Sequence, residues 1–156
     1  MNKVFWLREG ILAGRPGPDR EPWDPAQLSS GGIGAVLSVN GGLLCHEEDF
    51  APVGISYACV ALSANAPPRP GDEQVCMEVL PRAYAFVHDQ VTAGRAVLVH
   101  CSSGKDRTGL FLSYFLMRAE GLTPREAIAA VRAVRPIALS AEGWEEFGAR
   151  VLAALE

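Results

Sequence analysis

Apolar and polar positions alternate between two periods along this chain. Val4 to Leu7 and Ile11 to Ala13 are short apolar-rich runs on either side of Glu9-Gly10, which predicts a hairpin. The Pro- and Gly-rich stretch Arg15 to Pro22 predicts a loop after it. Asp24, followed by Pro25, predicts a capped helix running toward Ser29 and stopped by Gly31-Gly32. Ala35 to Val39 and Ile55 to Leu62 read as β-favouring runs, with a short helix around Glu47 to Ala51 between them.

In the second half the helical period dominates. Asp72, after Pro70-Gly71, predicts a cap for a helix from Glu73 to about Thr92, and Pro81, which lacks an N–H, predicts a kink or a division in it. Gly94 ends that helix. Ala96-Val97-Leu98-Val99 is apolar at successive positions, as a parallel strand covered on both faces should be. A helix begins near Thr108, and its run Leu110, Phe111, Leu112, Tyr114, Phe115, Leu116 and Met117 is apolar nearly all round, so burial against a sheet accounts for those side chains. Thr123-Pro124-Arg125-Glu126 spells a capping box, opening a helix that ends near Arg135-Pro136, and a last helix runs from about Ala141 to Ala154. The alternation predicts an α/β fold, a central and mostly parallel sheet flanked by helices. Ligands in such folds bind beyond the carboxyl ends of strands, which singles out the loop between Val99 and Thr108.

Composition narrows the class. The chain has 156 residues, 49% hydrophobic and 21% charged, as expected of one globular domain over 1–156. A chain of this size buries roughly 70% of its unfolded surface and needs neither disulfides nor a structural metal. Fourteen Lys plus Arg against eighteen Asp plus Glu leave a net charge of −4 without a basic tract, which argues against nucleic acid as a partner. The most apolar stretch, Gly109 to Met117, is about half the roughly 20 residues of a membrane span, and MNKVFWLREG has no signal-peptide h-region, so a cytoplasmic location is expected. Cys45, Cys59, Cys76 and Cys101 lack CxxC spacing, and neither paired disulfides nor a zinc ribbon is expected.

The suspected loop reads His100-Cys101-Ser102-Ser103-Gly104-Lys105-Asp106-Arg107-Thr108. A loop that curls at a helix N-terminus turns its backbone N–H groups inward and adds the positive end of the helix dipole, which makes a nest of phosphate size. Ser102, Ser103, Gly104, Lys105 and Asp106 would line it, and Arg107 would close it with a planar fork that Lys does not reproduce. Cys101, at the floor, sees the same positive field and is expected to be a thiolate at neutral pH.

HCSSGKDRTG resembles the His-Cys-x5-Arg-Ser/Thr signature of the cysteine-dependent protein tyrosine and dual-specificity phosphatases, in the strand-loop-helix setting the motif requires. The resemblance extends more weakly through FWLREGILAGRPGPD, GIGAVLSVN and TPREAIAAVRAVRP, as in small atypical dual-specificity enzymes. Rhodaneses also place a Cys in a strand-to-helix loop, but theirs is commonly shorter and sulfur transfer needs no Arg six residues after the Cys. The resemblance implies a two-step hydrolysis without metal or cofactor. Cys101 attacks phosphorus and forms a phosphocysteine while Arg107 and the loop N–H groups hold the equatorial oxygens, and water then releases phosphate. Thr108 would hydrogen-bond the sulfur and ease its departure, beside a capping role, and His100 would orient rather than act as a base. Inorganic phosphate, sulfate or vanadate would occupy the same loop.

In most of that family the general acid is an Asp on a separate loop upstream of the Cys. Here the corresponding stretch, Ala61-Leu62-Ser63-Ala64-Asn65-Ala66-Pro67-Pro68, contains no carboxylate. Asp106 is the better candidate, by likeness to bacterial and lipid-directed phosphatases with a GKDR loop, and Asp72 is the other. Three functions stay open: a protein tyrosine or dual-specificity phosphatase acting on a phosphorylated protein; a phosphoinositide or inositol polyphosphate phosphatase, which Lys105 and the GKDR loop favour; and a catalytically weak phosphate-binding module. Arg15 resembles a pocket-lining Arg of some relatives and reads equally as a surface loop residue. Cys45 reads as an ordinary buried thiol with a sharper alternative, a protective disulfide to the nucleophile as in some relatives; Cys59 and Cys76 read as packing residues. Cys45-His46-Glu47-Glu48-Asp49 reads as an exposed helix start rather than a set of metal ligands, because adjacent helical side chains diverge.

Overall fold

The computed structural model describes residues 1–156. Strand β1 (Phe5–Arg8) turns back into β2 (Leu12–Arg15), helix α1 (Pro25–Ser30) leads to β3 (Ile33–Ser38), and three short 3-10 turns precede β4 (Ser56–Cys59). Then come α2 (Asp72–Thr92), β5 (Ala96–His100), α3 (Asp106–Glu120), α4 (Pro124–Val134) and α5 (Trp144–Ala154). The sheet order is β1-β2-β5-β3-β4, parallel throughout except for the β1–β2 hairpin. The mixed but mostly parallel sheet and its flanking helices agree with the pattern of the sequence.

Central strand β5 explains the position of the site. Its side chains alternate: Val97 and Val99 enter the larger core with α2, α3, α4 and α5, whereas Leu98 joins Ala13, Val36, Leu28 and Phe50 on the α1 side. Leu110, Phe111, Leu112 and Leu116 of α3 are fully buried in the larger core. Each such side chain contributes about 1.5–3 kcal/mol by leaving water, so α3 is anchored firmly beneath the loop that precedes it. The register sets Arg15 beside His100 on one flank and Ser38 beside it on the other. Three strand ends thus lie side by side, and the Cys101 loop leaves from the middle one.

Caps behave as their sequences dictate at two helices. Asp24 accepts the Ala26 N–H at α1, and Thr123 and Glu126 form the reciprocal capping box at α4. Five expectations need correction. Gly71, at φ 94°, is the cap of α2, a left-handed conformation that suits glycine, so Asp72 is the first helical residue and its carboxylate is free for other partners. Helix α2 runs unbroken through Pro81, because Cys76 and Leu80 before it and Ala83 and Val87 after it are all buried in the same core. The Glu47 to Ala51 segment forms 3-10 turns rather than an α-helix, and β4 is shorter than Ile55 to Leu62. Helix α5 starts at Trp144 behind Gly143, three residues later than the sequence indicates.

Candidate active site

The loop from Cys101 to Lys105 is shaped from outside. His100 Nδ1 meets the Cys101 carbonyl at 2.9 Å, and the Gly17 N–H donates to the Ser102 carbonyl at 2.8 Å. Arg135 donates from Nη2 to the Ser103 carbonyl at 2.7 Å and from Nε to the Gly104 carbonyl at 3.1 Å. The Lys105 carbonyl accepts from Gly109 N–H at 3.1 Å and from Leu139 N–H at 3.4 Å. Five consecutive carbonyls are therefore engaged by groups outside the loop or by the next turn of α3. A peptide unit points its N–H opposite to its C=O, and the backbone N–H groups of Ser102 through Arg107 donate to no protein acceptor. This is the nest that the residue pattern implies, and α3 adds its N-terminal dipole end from Asp106 onward.

Cys101 is 2% exposed at the start of that nest, and Thr108 Oγ1 donates to its sulfur at 3.1 Å. His100 is fully buried; burial pushes it down to about 4, so it is neutral at physiological pH and orients the loop rather than taking protons. With Nδ1–H on the Cys101 carbonyl, Nε2 is left as the acceptor for the Ser38 hydroxyl and lies 3.3 Å from Cys45 Sγ. Trp23 covers the ring edge-on at 4.9 Å.

Arg107 is held by the other loop. Its Nε donates to the Ser63 carbonyl at 2.7 Å and its Nη2 to the Asn65 carbonyl at 3.2 Å, with the guanidinium 4.8 Å from the Trp144 ring centroid. Trp144 Nε1 donates to the same Asn65 carbonyl at 3.1 Å. The side edge of the guanidinium is thus on protein, and its end edge, Nη1 with the second N–H of Nη2, remains for an oxyanion. Asp72 fastens this second loop: it accepts Asn65 Nδ2 on both oxygens at 3.0 Å and the Arg69 N–H at 2.6 Å. Those bonds, the Arg69 N–H foremost and the Asn65 amide next, hold its carboxyl below the usual carboxylate range. Asp72 is neither the helix cap nor a group ready to give up a proton.

Asp106 is 4% exposed, buried rather than solvated at the rim. Its Oδ1 accepts the Ala141 N–H at 3.1 Å, and its Oδ2 lies 3.7 Å from Lys105 Nζ without a hydrogen bond. Sequence reasoning passed over Asp19, Arg20 and Arg135. Ser102 Oγ donates to Asp19 Oδ2 at 2.7 Å and accepts from Arg20 Nε at 3.2 Å, both from the Gly17 side. The PGPDR turn directly after β2 is the signal that places this pair by the site; nothing in the sequence marks Arg135 as a neighbour of Gly104. Arg15 is buried at the end of β2, not on a surface loop; its Nε and Nη1 donate to the Asn2 and Pro16 carbonyls. Cys45 is half-buried, with its thiol pushed up by burial, Cys76 is buried, and Cys59 is exposed at the end of edge strand β4, contrary to a packing role. His46, Glu47 and Glu48 point to solvent. No helix is long and apolar enough to cross a membrane.

Comparison with known proteins agrees with this construction. The chain matches the dual specificity phosphatase catalytic domain over residues 23–146. It is 33% identical to mouse dual specificity protein phosphatase 12 over 122 residues, which cover 78% of this chain but 34% of that protein, so it spans about a third of that relative's length. Two solved structures share the fold: Tk-PTP in the active form, with TM-score 0.75, 20% identity and coverage of 97% of each chain, and PTPMT1 in complex with PI(5)P, with TM-score 0.72, 15% identity and coverage of 99% and 100%. A nest at the carboxyl end of the central strand, a cysteine at its floor and an arginine at its lip stand within the matched region, and the chain belongs to the dual-specificity phosphatase catalytic-domain family.

Proposed function

We propose that this chain hydrolyses phosphomonoesters through a phosphocysteine on Cys101, with phosphorylated protein side chains as the substrate class. The observation that carries the reading is the inward-facing row of N–H groups from Ser102 to Arg107 around a buried sulfur. In the first step Cys101 Sγ, as thiolate, bonds to phosphorus as the ester P–O bond breaks, and three equatorial oxygens load onto the loop N–H groups and the end edge of Arg107. The leaving oxygen departs with the bonding pair and needs a proton. Asp106 supplies it in this reading: Asp72 is spent on Asn65 and Arg69, Asp19 is spent on Ser102, and Asp106 Oδ2 is free of hydrogen bonds. In the second step water attacks phosphorus and returns its proton to the Asp106 carboxylate, the S–P bond breaks, and the Thr108 hydroxyl stabilises the thiolate as it leaves. Inorganic phosphate, sulfate and vanadate fit the same nest.

An inositol phosphate headgroup is the second reading. It is favoured by the cations Arg20 and Lys105 on and beside the loop, and by the likeness of fold to PTPMT1, which was crystallised with PI(5)P. A panel of phosphotyrosine, phosphoserine and phosphothreonine peptides and inositol phosphates decides between the two. Cys101→Ser is expected to abolish turnover of every member, by at least about 10³-fold, while vanadate or phosphate still binds. Parent protein that is inactive on the whole panel yet binds vanadate would make the chain a phosphate-binding module instead.

A further inference from the structure

The carbonyls that shape the nest are not equally secured. Those of Cys101, Ser102 and Lys105 are held by neighbouring backbone or by His100, which forms part of the same segment. Those of Ser103 and Gly104 are held by one side chain, Arg135, the residue that caps the C-terminus of α4. These two carbonyls belong to the peptide units whose N–H groups are those of Gly104 and Lys105, at the far turn of the loop. Gly104 sits at φ 63°, a left-handed conformation that favours glycine, and a Cβ there would lie 2.5 Å from the Arg15 carbonyl carbon, so no bulkier residue can stiffen the turn. A flip of either peptide would replace an N–H donor in the nest with a carbonyl oxygen facing the phosphate.

Arg135 is built for the opposite outcome. Its guanidinium lies 5.4 Å from the Phe5 ring centroid, it has no carboxylate partner, and its planar fork spans two carbonyls one residue apart. Resting on the phosphatase reading above, we propose that Arg135 is a positioning residue that locks the Gly104 and Lys105 peptides with their N–H groups toward phosphate. Arg132, one turn earlier on α4, is the internal control. Its Nε donates to the Ala138 carbonyl at 3.0 Å and its Nη1 pairs with Glu145 at 3.0 Å, so it braces the α4–α5 connection, including the peptide whose Leu139 N–H meets the Lys105 carbonyl, but leaves the Ser103 and Gly104 carbonyls untouched.

The test is vanadate affinity by calorimetry, together with kcat on p-nitrophenyl phosphate and the melting temperature, for the parent, R135A, R135K and R132A. R135A is expected to lose about 10²-fold in kcat and a comparable factor in vanadate affinity, with a melting temperature close to that of R132A, whose binding stays within about fivefold of the parent because the Ser103 and Gly104 carbonyls keep their partner. R135K keeps the positive charge but has no fork. It is expected to recover less than a tenth of the loss, and it carries the test if R135A does not fold. The amide resonances of Gly104 and Lys105 should shift with vanadate in the parent and lose most of that response in R135K. An R135A or R135K protein that binds vanadate within about twofold of a binding parent overturns this inference alone, as does an equal loss in R132A. A parent that binds no vanadate overturns the phosphatase reading and this inference with it.

Discussion

The loop from Cys101 to Thr108 and the loop from Leu62 to Gly71 meet at Arg107, and they are held by opposite means. In the first, surrounding donors take the carbonyls and leave the N–H groups turned inward. In the second, carbonyls are the groups presented: Ser63 and Asn65 aim theirs at the Arg107 guanidinium, and Asp72 gathers the donors of Asn65 and Arg69 behind them. One loop is a cluster of donors for an anion and the other a cluster of acceptors for a cation. Arg107 belongs to both, since its side edge faces the acceptors and its end edge is left for phosphate. A guanidinium has two such edges and an ammonium does not, which accounts for Arg at this place by geometry rather than charge alone.

The largest expected effect breaks this sharing. Arg107→Lys keeps the charge but cannot face both loops, and kcat on p-nitrophenyl phosphate is expected to fall by about 10³-fold. A fall of less than tenfold would mean that charge suffices and that the two-edge account is wrong. The next effect separates the carboxylates of the two loops. Asp106→Asn is expected to lower kcat about 10²-fold for alkyl phosphates, whose leaving groups need a proton, and only a few-fold for p-nitrophenyl phosphate. Asp72→Asn should change both substrates alike, since it loosens Asn65 and the Arg107 dock. The reverse pattern would move the acid to the second loop.

How far this division was legible in the sequence depends on which atoms carry it. The nest was legible because its chemistry lies in residue types at fixed offsets: a cysteine after an apolar strand, a glycine, an arginine, and a threonine at the head of an apolar helix. The acceptor loop was not, because its working groups are the backbone carbonyls of Ser63 and Asn65, which any residue type supplies. Asp72 was misread as a cap for a related reason: Asp after Pro-Gly is a good capping sequence, but Gly71 takes the left-handed φ and leaves the carboxylate to turn back to Asn65. Pro81 was read as a break because local propensity forbids an interior proline, and packing of Leu80 and Ala83 in one core outweighs the missing hydrogen bond. Arg135 lies on another helix, and an arginine at a helix C-terminus has an ordinary reason to be there.

The donor loop also predicts a stability signature between pH 7 and pH 5, a window above the one in which the acceptor loop's Asp72, held below the usual carboxylate range, would contribute. His100 titrates near 6.5 when unfolded and is pushed down to about 4 when buried beneath Trp23 and beside Ser38. Between those values the unfolded chain holds a proton that the folded chain refuses, so acidification favours unfolding, and stability present above pH 6.5 is lost on the way down. The loss from this one group between pH 7 and pH 5 is about 2 kcal/mol. Urea unfolding at the two pH values should show it in the parent, and His100→Gln should be flatter by that amount whatever its absolute stability. Equal slopes would place the imidazole in contact with water and remove it as a fixed orienting group under the nest.

The smallest effect concerns the floor of the donor loop. Thr108 Oγ1 donates to Cys101 Sγ at 3.1 Å, and that hydrogen bond is worth most when sulfur bears full negative charge, before phosphorus is bonded and after it leaves. Thr108→Val keeps the shape and the β-branched packing and removes the donor. In phosphorylation the variant starts from a less stabilised and more reactive thiolate, so the first step is little hindered. In hydrolysis of the phosphocysteine the thiolate is the leaving group, and its departure slows. The expected result is a kcat about tenfold lower with kcat/KM nearly unchanged, and a burst of p-nitrophenol equal to the enzyme concentration before the slower steady state. A parallel fall in kcat and kcat/KM without a burst would mean that Thr108 acts in forming the nest rather than in releasing the sulfur, and would shift its role from the second step to the architecture it shares with Arg135.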